Sequence, residues 1–463
     1  MKRLPRSTPE AQGVSSAALL GLVEALDASA CEVHSLMVVR HGHVIAEGWW
    51  SPYQADLPHQ LYSVSKAFTS MAVGMVVAEG KLSLDDQVVS FFPEHLPDEV
   101  GDNLAAMRVR HLLTMTTGHT EEPQAVRVPG SWLTAFFAAP VEKEPGTYFV
   151  YNTPATYVVS AIVSRVTGNT VLELLRERLF GPMEMTEATW GSSPEGITLG
   201  GFGLSLTTES LARFGQLLLD DGRYDDRQLV PADWLAAATG KQVPNDNQDN
   251  PDWQQGYGYQ FWRSRHGFRA DGAFGQYCIV LPESDTIVVI TAATMEMQDV
   301  LDIVWSVLPR ALGDVPLRES PAASGLRDRL SRLELLPPSG SGETPADLVG
   351  RTYVVDNPDN NGPERIDLGH EVTVTVGFGG SRAEVVCGSG EWRDQAVELD
   401  GTRAAASAVW VDGRLLVTIR FTGTPYCGTY ECTFDGDRVR VEGSVNVVIG
   451  GMPQHTRQTG QRK

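Results

Sequence analysis

A serine and a lysine lie three positions apart in the segment YSVSKAFTSMAVGMVVAEG, which begins at residue 62. On a helix, residues with this spacing share a face, so Ser63 and Lys66 project together and Ser65 points elsewhere. A serine in the first helical turn lies near unpaired backbone N–H groups and the positive end of the helix dipole, which favour a developing alkoxide. Apolar neighbours such as Phe68 and Met71 should lower the lysine pKa until its amine can accept a serine proton. The pair therefore predicts a nucleophilic serine with a lysine base.

This spacing alone is weak support for catalysis. In the structural alternative, Ser63 caps a helix start and Lys66 extends along the apolar surface to place its amine in water. We favour the catalytic interpretation because an unpaired lysine inside so apolar a helix is costly. The sequence has no GxSxG elbow, no HExxH, and neither the P-loop nor the GxGxxG dinucleotide pattern. His41, His43 and Glu47 are interpreted as part of a polar turn between strands, and not as a metal site.

Length, charge and cysteine content limit the class of protein. A chain of 463 residues is too long for one ordinary core, so two or three domains are expected. Its net charge of -21 repels nucleic acid and anionic membranes, and no segment has the roughly 20 apolar residues that a membrane helix needs. No export signal is visible, and five scattered cysteines without a CxxC motif indicate a reducing environment. We expect a cytoplasmic protein without nucleic-acid or membrane partners.

Strand and helix patterns predict that residues 1–313 form an α+β domain, in which helices flank an antiparallel sheet. The segment HSLMVVRHGHVIAEGWW predicts two strands, and GYGYQFW and YCIVLPESDTIVVITA predict the strands that complete the sheet. Helical periodicity marks residues 16–28, 67–79 and 298–312. Mostly helical signals from about 82 to 240 predict a helical subdomain between the two halves of the sheet.

A second unit follows a change in composition. Residues 314–347 include LRESPAASG and PPSGSGETPA, whose proline, glycine and serine content is typical of a linker. Beyond them, short alternating segments such as HEVTVTVGF and SAVWVDGRLLVTIRF are separated by turn residues. This pattern predicts that residues 348–463 form a small antiparallel β-barrel or β-sandwich domain.

Four segments resemble, in this order, the serine β-lactamase-like hydrolases: SVSK, MRVRHLLTMTTGH, PGTYFVYNTPATYVVSAIVSRVTG and GFGLSLTTESLARFGQLLLDDG. That group includes class C β-lactamases, carboxylesterases, D-amino-acid peptidases and 6-aminohexanoate-dimer hydrolases, which share the fold of penicillin-binding proteins. The resemblance spans about residues 8 to 312 and is far more specific than the SxxK motif by itself. It implies a β-lactamase/transpeptidase-like fold for the first domain.

The resemblance also implies roles for individual residues. In that family the serine of SxxK attacks an acyl carbon, the lysine takes part in proton transfer, and a tyrosine from the helical subdomain is a second acid or base. Here these residues are Ser63, Lys66 and Tyr151, unless Tyr151 is a core aromatic beside Phe149. We expect the nearby cation to lower the pKa of the phenol. Asn152 follows Tyr151 directly, unlike the family's Tyr-x-Asn spacing, so it either contacts substrate, orients the lysine or holds a local turn.

The third motif of the family is a Lys-Thr-Gly or His-x-Gly triplet on an edge strand, and it corresponds to FRADGAFGQY. With Gly272 as the last residue of the triplet, the N–H of Ala273 would join that of Ser63 as the oxyanion hole. A shifted alignment would use Gly275 and Gln276 instead.

The cation of that triplet is missing, because Ala270 occupies its place; Arg269 beside it is a candidate substitute. In β-lactamases the triplet helps to hold the carboxylate of the drug. The resemblance therefore implies esters or amides without a required anionic group, and weak or no turnover of β-lactams. An aromatic cluster at residues 253–262 either lines the cleft or, as we favour, packs at the start of a strand.

Together these observations predict a cytoplasmic serine hydrolase that acts through an acyl-enzyme on a small-molecule ester or amide, with no metal or organic cofactor. The alternative is a catalytically inactive, penicillin-binding-protein-like protein that binds a ligand or serves as a scaffold. The sequence leaves open the natural substrate, the role of the C-terminal β domain and the oligomeric state, a homo-oligomer included.

Overall fold

The central element of the fold is an antiparallel sheet. The computed structural model describes residues 3–357, 361–378, 381–397, 402–449 and 453–463. The strands before residue 313 are, in chain order, β1 (Val33–Arg40), β2 (His43–Trp49), β3 (His59–Gln60), β4 (Thr189–Trp190), β5 (Leu204–Leu206), β6 (Arg223–Tyr224), β7 (Arg227–Gln228), β8 (Trp262–Arg263), β9 (Phe268–Gly272), β10 (Gln276–Leu281) and β11 (Thr286–Ala292). Strands β2, β1, β11, β10, β9 and β8 pair in that order. The sheet therefore combines the two ends of this region, as predicted.

Both faces of this sheet are buried. Every residue of β1, β10 and β11 is buried, which explains why these strands read as nearly continuous apolar runs. Successive side chains of a strand point to opposite faces. Accordingly Met37 and Val39 belong to the core shared with the helical layer, whereas Leu36 and Val38 belong to a second core on the other side. The predicted α+β class is confirmed.

Helices cover the sheet and form the helical layer. They are α1 (Ser16–Ala28), α2 (Ser65–Ala78), α3 (Asp102–Ala106), α4 (Val109–Leu113), α5 (Trp132–Ala138), α6 (Thr153–Thr167), α7 (Val171–Leu175), α8 (Thr208–Leu219), α9 (Ala232–Thr239), α10 (Met297–Ala311) and α11 (Ala322–Leu330). Helices α1 and α10 pack together on one face of the sheet. Helix α8 lies on the other face, where a Cβ at Gly215 would be only 2.6 Å from Ile287. It therefore packs on the sheet, although it falls within the segment predicted as a helical subdomain.

Helix α2 lies at the centre of this domain. Its residues from Ser65 to Val76 are all buried, and it contacts α6, α7 and α9. A Cβ at Gly74 would be 2.3 Å from the Trp234 ring, so glycine allows α9 to approach. Within the described part of the chain, no single helix is long and apolar enough to cross a membrane. Helix α6 and residues 171–180 meet that test only as a pair, bent by 70°.

The prediction of a strand at GYGYQFW is mostly wrong. Only its last residue, Trp262, belongs to β8; the residues before it are irregular. Gly256 and Gln260 have positive φ values of 111° and 71°, which a continuous strand does not tolerate. The aromatic residues of this segment therefore pack from a looped backbone.

The connection between the two units packs on the first one. Helix α11 lies against α1, and Leu326 and Leu333 join the core on that face of the sheet. The backbone of Leu335 then donates a hydrogen bond to Ser51 O at 2.8 Å. The domain boundaries at residues 313 and 348 remain proposals.

The second unit is a nearly closed antiparallel β-barrel. Its strands are β12 (Arg351–Val355), β13 (Gly362–Leu368), β14 (Val372–Phe378), β15 (Ser381–Val386), β16 (Gly388–Ser389), β17 (Arg393–Ala396), β18 (Arg403–Val411), β19 (Arg414–Phe421), β20 (Cys427–Asp435), β21 (Arg438–Val445) and β22 (His455–Arg462). They pair in the order β15, β14, β13, β12, β22, β21, β20, β19, β18, and β18 also pairs with β16 and β17. The Gln395 side chain on β17 bridges to β15, because it accepts from Val386 N at 3.0 Å and donates to Val386 O at 2.7 Å.

Polar contacts hold the barrel against the first unit. Arg420 Nη1 lies 2.8 Å from Glu32 Oε1, and Asn446 Nδ2 donates to the same carboxylate oxygen at 2.9 Å. The Tyr53 hydroxyl donates to Thr424 O at 3.4 Å. Because Glu32 precedes β1, these contacts fix the barrel relative to the central sheet.

Candidate active site

The serine of the SxxK segment lies in a tight turn before α2. Tyr62 has a left-handed backbone with φ of 49°, and Tyr62–Val64 form a single 3₁₀ turn that leads into the helix. Ser63 is half-buried in this turn. Ser65 is fully buried; its hydroxyl donates to Tyr62 O at 2.5 Å and accepts from Leu204 N at 3.1 Å. Ser65 therefore holds the turn, and Ser63 faces Lys66.

Lys66 is buried with polar groups around its amine. The residue is 1% exposed. Its Nζ lies 2.9 Å from Ser63 Oγ, 2.9 Å from Gly201 O and 3.3 Å from Thr153 Oγ1. Burial lowers the pKa of Lys66 to about 7, and nearby carboxylates, chiefly Glu122, oppose this shift. At neutral pH a large share of the amine is therefore uncharged and can accept a proton from the serine.

Tyr151 brings a phenol to the same two groups. Its ring centroid lies 4.8 Å from Lys66 Nζ, and its phenol lies near enough to the Ser63 side chain for that side chain to act on the phenol pKa. Burial raises the pKa of Tyr151 well above its usual value, and the Asp271 carboxylate raises it further. The expectation of a lowered phenol pKa is therefore wrong, because the loss of water around a phenolate outweighs the charges nearby. Tyr151 is a neutral phenol that can donate a proton.

Aromatic rings and a buried ion pair support Tyr151. The Tyr151 ring stacks on Trp262 with centroids 5.2 Å apart, and Tyr257 meets it edge-on at 6.3 Å. Trp262 lies beside the Asp271 side chain, and Asp271 accepts from Arg269 Nε at 3.0 Å. The aromatic residues after residue 253 thus pack together from a looped backbone, and Tyr257 and Trp262 also position the phenol.

Strand β9 passes directly beside the turn of Ser63. A Cβ at Gly272 would lie 2.1 Å from Leu61 O and 3.1 Å from Ser63 N, so only glycine fits here. Ala273 follows at the turn between β9 and β10. The glycine at position 272 therefore has a steric reason.

Arg269 does not replace the missing cation of the triplet. Its side chain is fully buried, and its Nη1 donates to Ser264 Oγ at 2.7 Å. Its guanidinium lies over the Trp253 ring at 4.4 Å and pairs with Asp271. Ala270 is buried as well. The arginine thus supports the strand that borders the site.

Asn152 and Gln276 are candidates for substrate contact, but their side chains form hydrogen bonds within the protein. Asn152 is fully buried, caps the start of α6 through its Oδ1 and donates from Nδ2 to Thr117 Oγ1 at 3.1 Å. Gln276 is also fully buried, and its Nε2 donates to Ala292 O at 2.7 Å and to Ala273 O at 3.1 Å. Asn152 thus holds a helix start, and Gln276 holds the turn that carries Ala273.

Sequence reasoning missed four residues around Lys66. They are Thr153 and Gly201, which contact its amine, and Glu122 and Asp271, whose charges act on its pKa. Gly201 lies in the GFG segment quoted for the resemblance, and a Cβ there would be 2.9 Å from Thr153 Cγ2. Glu122 has no comparable local signal, because its Oε1 accepts from Thr153 N at 2.7 Å across a separation of 31 residues.

A family comparison agrees with the fold and the order of the motifs. The Beta-lactamase family model matches residues 20–306, which is more than half of the chain. The chain therefore belongs to the beta-lactamase family, and the predicted group of serine β-lactamase-like proteins is confirmed.

Individual relatives come from several kinds of hydrolase. The 6-aminohexanoate-dimer hydrolase of Paenarthrobacter ureafaciens is 25% identical over 279 residues, which cover 55% of this chain and 71% of that protein. Lovastatin esterase of Penicillium rubens is 27% identical over 169 residues, 31% of this chain and 42% of the esterase. The octameric penicillin-binding protein homologue from Pyrococcus abyssi aligns with a TM-score of 0.52 and 16% identity, over 96% of this chain and 100% of that one. This last likeness concerns the fold alone.

Proposed function

We propose that this protein is a serine hydrolase that cleaves a small ester or amide through an acyl-enzyme. The proposal rests on the 2.9 Å separation of Ser63 Oγ and Lys66 Nζ in a buried site where the lysine pKa is lowered to about 7. The neutral amine takes the hydroxyl proton as Oγ bonds to the acyl carbon. The Tyr151 hydroxyl donates its proton to the leaving oxygen or nitrogen and regains one from the Lys66 ammonium. The acyl group then remains on Ser63 as an ester.

In the proposed mechanism, backbone N–H groups of Ser63 and Ala273 stabilise the oxyanion. The support is steric, because the missing side chain of Gly272 lets β9 come within contact of Ser63 N. Two donors aimed at one oxygen stabilise the tetrahedral intermediate more than the flat carbonyl. A water molecule, or an acceptor amine or alcohol, then attacks the acyl carbon and gives its proton to Lys66. Release of the acyl group returns that proton to Ser63 Oγ.

The proposed substrates lack a required anionic group. Ala270 stands where the family motif has a cation, and Arg269 is engaged by Asp271. We therefore expect weak or no turnover of β-lactams. The relatives include an esterase and a hydrolase of the 6-aminohexanoate dimer, so the proposal covers both ester and amide bonds.

The test combines an ester assay with labelling of the serine. Purified protein should hydrolyse a short-chain p-nitrophenyl ester and take up a fluorophosphonate probe at Ser63. Ser63→Ala should lose both, whereas Ser65→Ala should still be labelled at Ser63, although more slowly and with lower thermal stability, because Ser65 holds the turn but is not the nucleophile. Wild-type protein that is neither active nor labelled would favour the alternative of an inactive ligand-binding or scaffolding protein. Efficient nitrocefin hydrolysis would contradict the substrate class.

The proposal also includes a cytoplasmic setting. All five cysteines are unpaired and buried, as expected where thiols stay reduced. A homo-oligomer is included because the Pyrococcus abyssi homologue is octameric, and sedimentation of the purified protein would measure this. Proteolysis at residues 314–347 would test the domain boundaries.

A further inference from the structure

The barrel contacts the first unit next to the proposed oxyanion hole. A small apolar cluster there contains Tyr62, Phe274 and Ala293 from the first unit and Val447 from the barrel, with Tyr426 of the barrel at its edge. We call these five residues the interface cluster. Tyr62 is 5% exposed, Phe274 is 3% exposed and Val447 is 1% exposed. The cluster is therefore closed to water, and barrel residues supply one of its sides.

Tyr62 and Phe274 occupy special positions in the chain. Tyr62 immediately precedes Ser63, and Phe274 immediately follows Ala273. Both have left-handed backbones, with φ of 49° and 70°, which residues other than glycine adopt only when their surroundings hold them. The Ser63 N–H belongs to the peptide group that joins Tyr62 to Ser63, and the Ala273 N–H lies in the same tight turn as Phe274, one residue before it. Whatever fixes these two side chains therefore also fixes that site.

The side chains are fixed by each other and by the barrel. The rings of Tyr62 and Phe274 meet edge to face with centroids 5.1 Å apart, and Phe274 meets Tyr426 at 6.0 Å. Burial and the neighbouring Tyr426 raise the pKa of Tyr62, so the two phenol groups lie near each other. From the opposite side, Gln276 holds the same turn through Ala273 O. The turn thus lies between the sheet and the barrel.

We propose that Tyr426 and Val447 are positioning residues, through which the docked barrel holds the oxyanion hole in its working geometry. The inference rests on the proposed serine hydrolase function. Donors of an oxyanion hole act only within hydrogen-bond distance of one oxygen, and loss of one donor lowers kcat by about 10² to 10³. Loosening both turns slightly should lower kcat by roughly tenfold. Substrate affinity should change little, because the carbonyl oxygen bears less charge before attack.

The test pairs each variant with the same substitution elsewhere in the barrel. Val447→Ala is compared with Val441→Ala, since both valines are buried but Val441 belongs to the barrel core. Tyr426→Phe is compared with Tyr430→Phe, which removes a hydroxyl from a barrel-core tyrosine. Full-length proteins are assayed for kcat and KM on a p-nitrophenyl ester, for inhibition by phenylboronic acid, and for melting temperature.

Val447→Ala should lower kcat about tenfold and keep KM within about twofold. Inhibition by phenylboronic acid should weaken by the same factor as kcat. In a profile of kcat against pH, the loss of activity on the acid side should remain near pH 7 for this variant, because Lys66 is unchanged. Tyr426→Phe should show a smaller change of the same kind, and both controls should affect only melting temperature. Equal kcat losses in Val447→Ala and Val441→Ala would overturn the proposal, as would a rise in KM alone.

A second measurement does not depend on activity. Hydrogen exchange followed by mass spectrometry should show faster exchange in peptides covering residues 61–64 and 272–275 in Val447→Ala, but not in Val441→Ala. Unchanged exchange in these peptides would overturn the positioning role. If wild-type protein proves inactive on every ester, the function proposal fails, while hydrogen exchange still decides whether the barrel orders these turns.

Discussion

Replacing Glu122 by glutamine should make the protein a better catalyst in mild acid. Glu122 Oε1 accepts from Thr153 N at 2.7 Å, and Thr153 Oγ1 lies 3.3 Å from Lys66 Nζ. Glutamine keeps an acceptor oxygen for Thr153 but removes the negative charge. That charge favours the ammonium form of Lys66 and so raises the lysine pKa. The Glu122→Gln variant should therefore have a Lys66 pKa below 7.

The size of this shift follows from the typical strength of such a charge interaction. An interaction of roughly 1 kcal/mol between two partly solvated unit charges corresponds to roughly 0.5 to 1 pH unit. From a starting pKa of about 7, the neutral fraction of Lys66 at pH 6 would rise from about one tenth to between one quarter and one half. Activity at pH 6 should therefore rise about threefold to fivefold, with little change at pH 9.

The assay is kcat/KM for a p-nitrophenyl ester from pH 5 to pH 9. Product is measured by chromatography, because the colour of p-nitrophenol itself changes with pH. Glu121→Gln is the matched control, since Glu121 is the adjacent residue, is exposed as Glu122 is, and is not among the charges that act on the pKa of Lys66. In Glu122→Gln the fall of kcat/KM on the acid side should move to lower pH. If it stays in place or moves to higher pH, Lys66 is not the group that titrates there.

Three further predictions concern the strand, the phenol and the barrel interface. Gly272→Ala should abolish ester hydrolysis, because its Cβ would lie 2.1 Å from a backbone oxygen, whereas Gly21→Ala, with open space around it, should keep full activity. Tyr151→Phe should lower kcat about a hundredfold and leave the acid limb near pH 7, because a phenol kept neutral by its raised pKa does not titrate there. At the barrel interface His34 stacks on Tyr53 and lies 3.1 Å from His59, and burial lowers the pKa of His34 to about 4 and that of His59 to about 3. The unfolded chain binds these protons below about pH 6.5, so stability should fall from pH 6.5 toward pH 4 by up to about 1.4 kcal/mol per pH unit for each histidine. Calorimetry would contradict this if His59→Gln left the pH dependence of melting unchanged.

The sequence predicts those parts of the site that follow from local spacing. Ser63 and Lys66 share a helix face, and the same reasoning sets Ser65 aside. Gly272 was placed by its motif, and its reason is the contact with a backbone oxygen that no local pattern reveals. The sequence alone does not decide whether Asn152 contacts substrate or holds a local turn, although the proline two positions later favours the role of a helix cap.

Long-range contacts explain what the sequence does not predict. Thr153 contacts Lys66 across 87 residues, and Gly201 does so across 135, so neither could be paired with it from spacing. The pKa of Tyr151 depends on how deeply the folded chain buries its ring, and charge reasoning alone gave the wrong direction. Gln260 adopts a left-handed backbone inside a segment rich in strand-forming residues, so β8 begins only after it, at Trp262.

The ion pair between Glu32 and Arg420 has a practical consequence. Their side chains are 23% and 10% exposed, so dissolved ions have little access to the space between them. Screening by salt acts mainly on charges that face bulk water. Raising the ionic strength should therefore leave the two units docked on each other, and size-exclusion chromatography in concentrated sodium chloride should show no increase in the hydrodynamic radius of the protein.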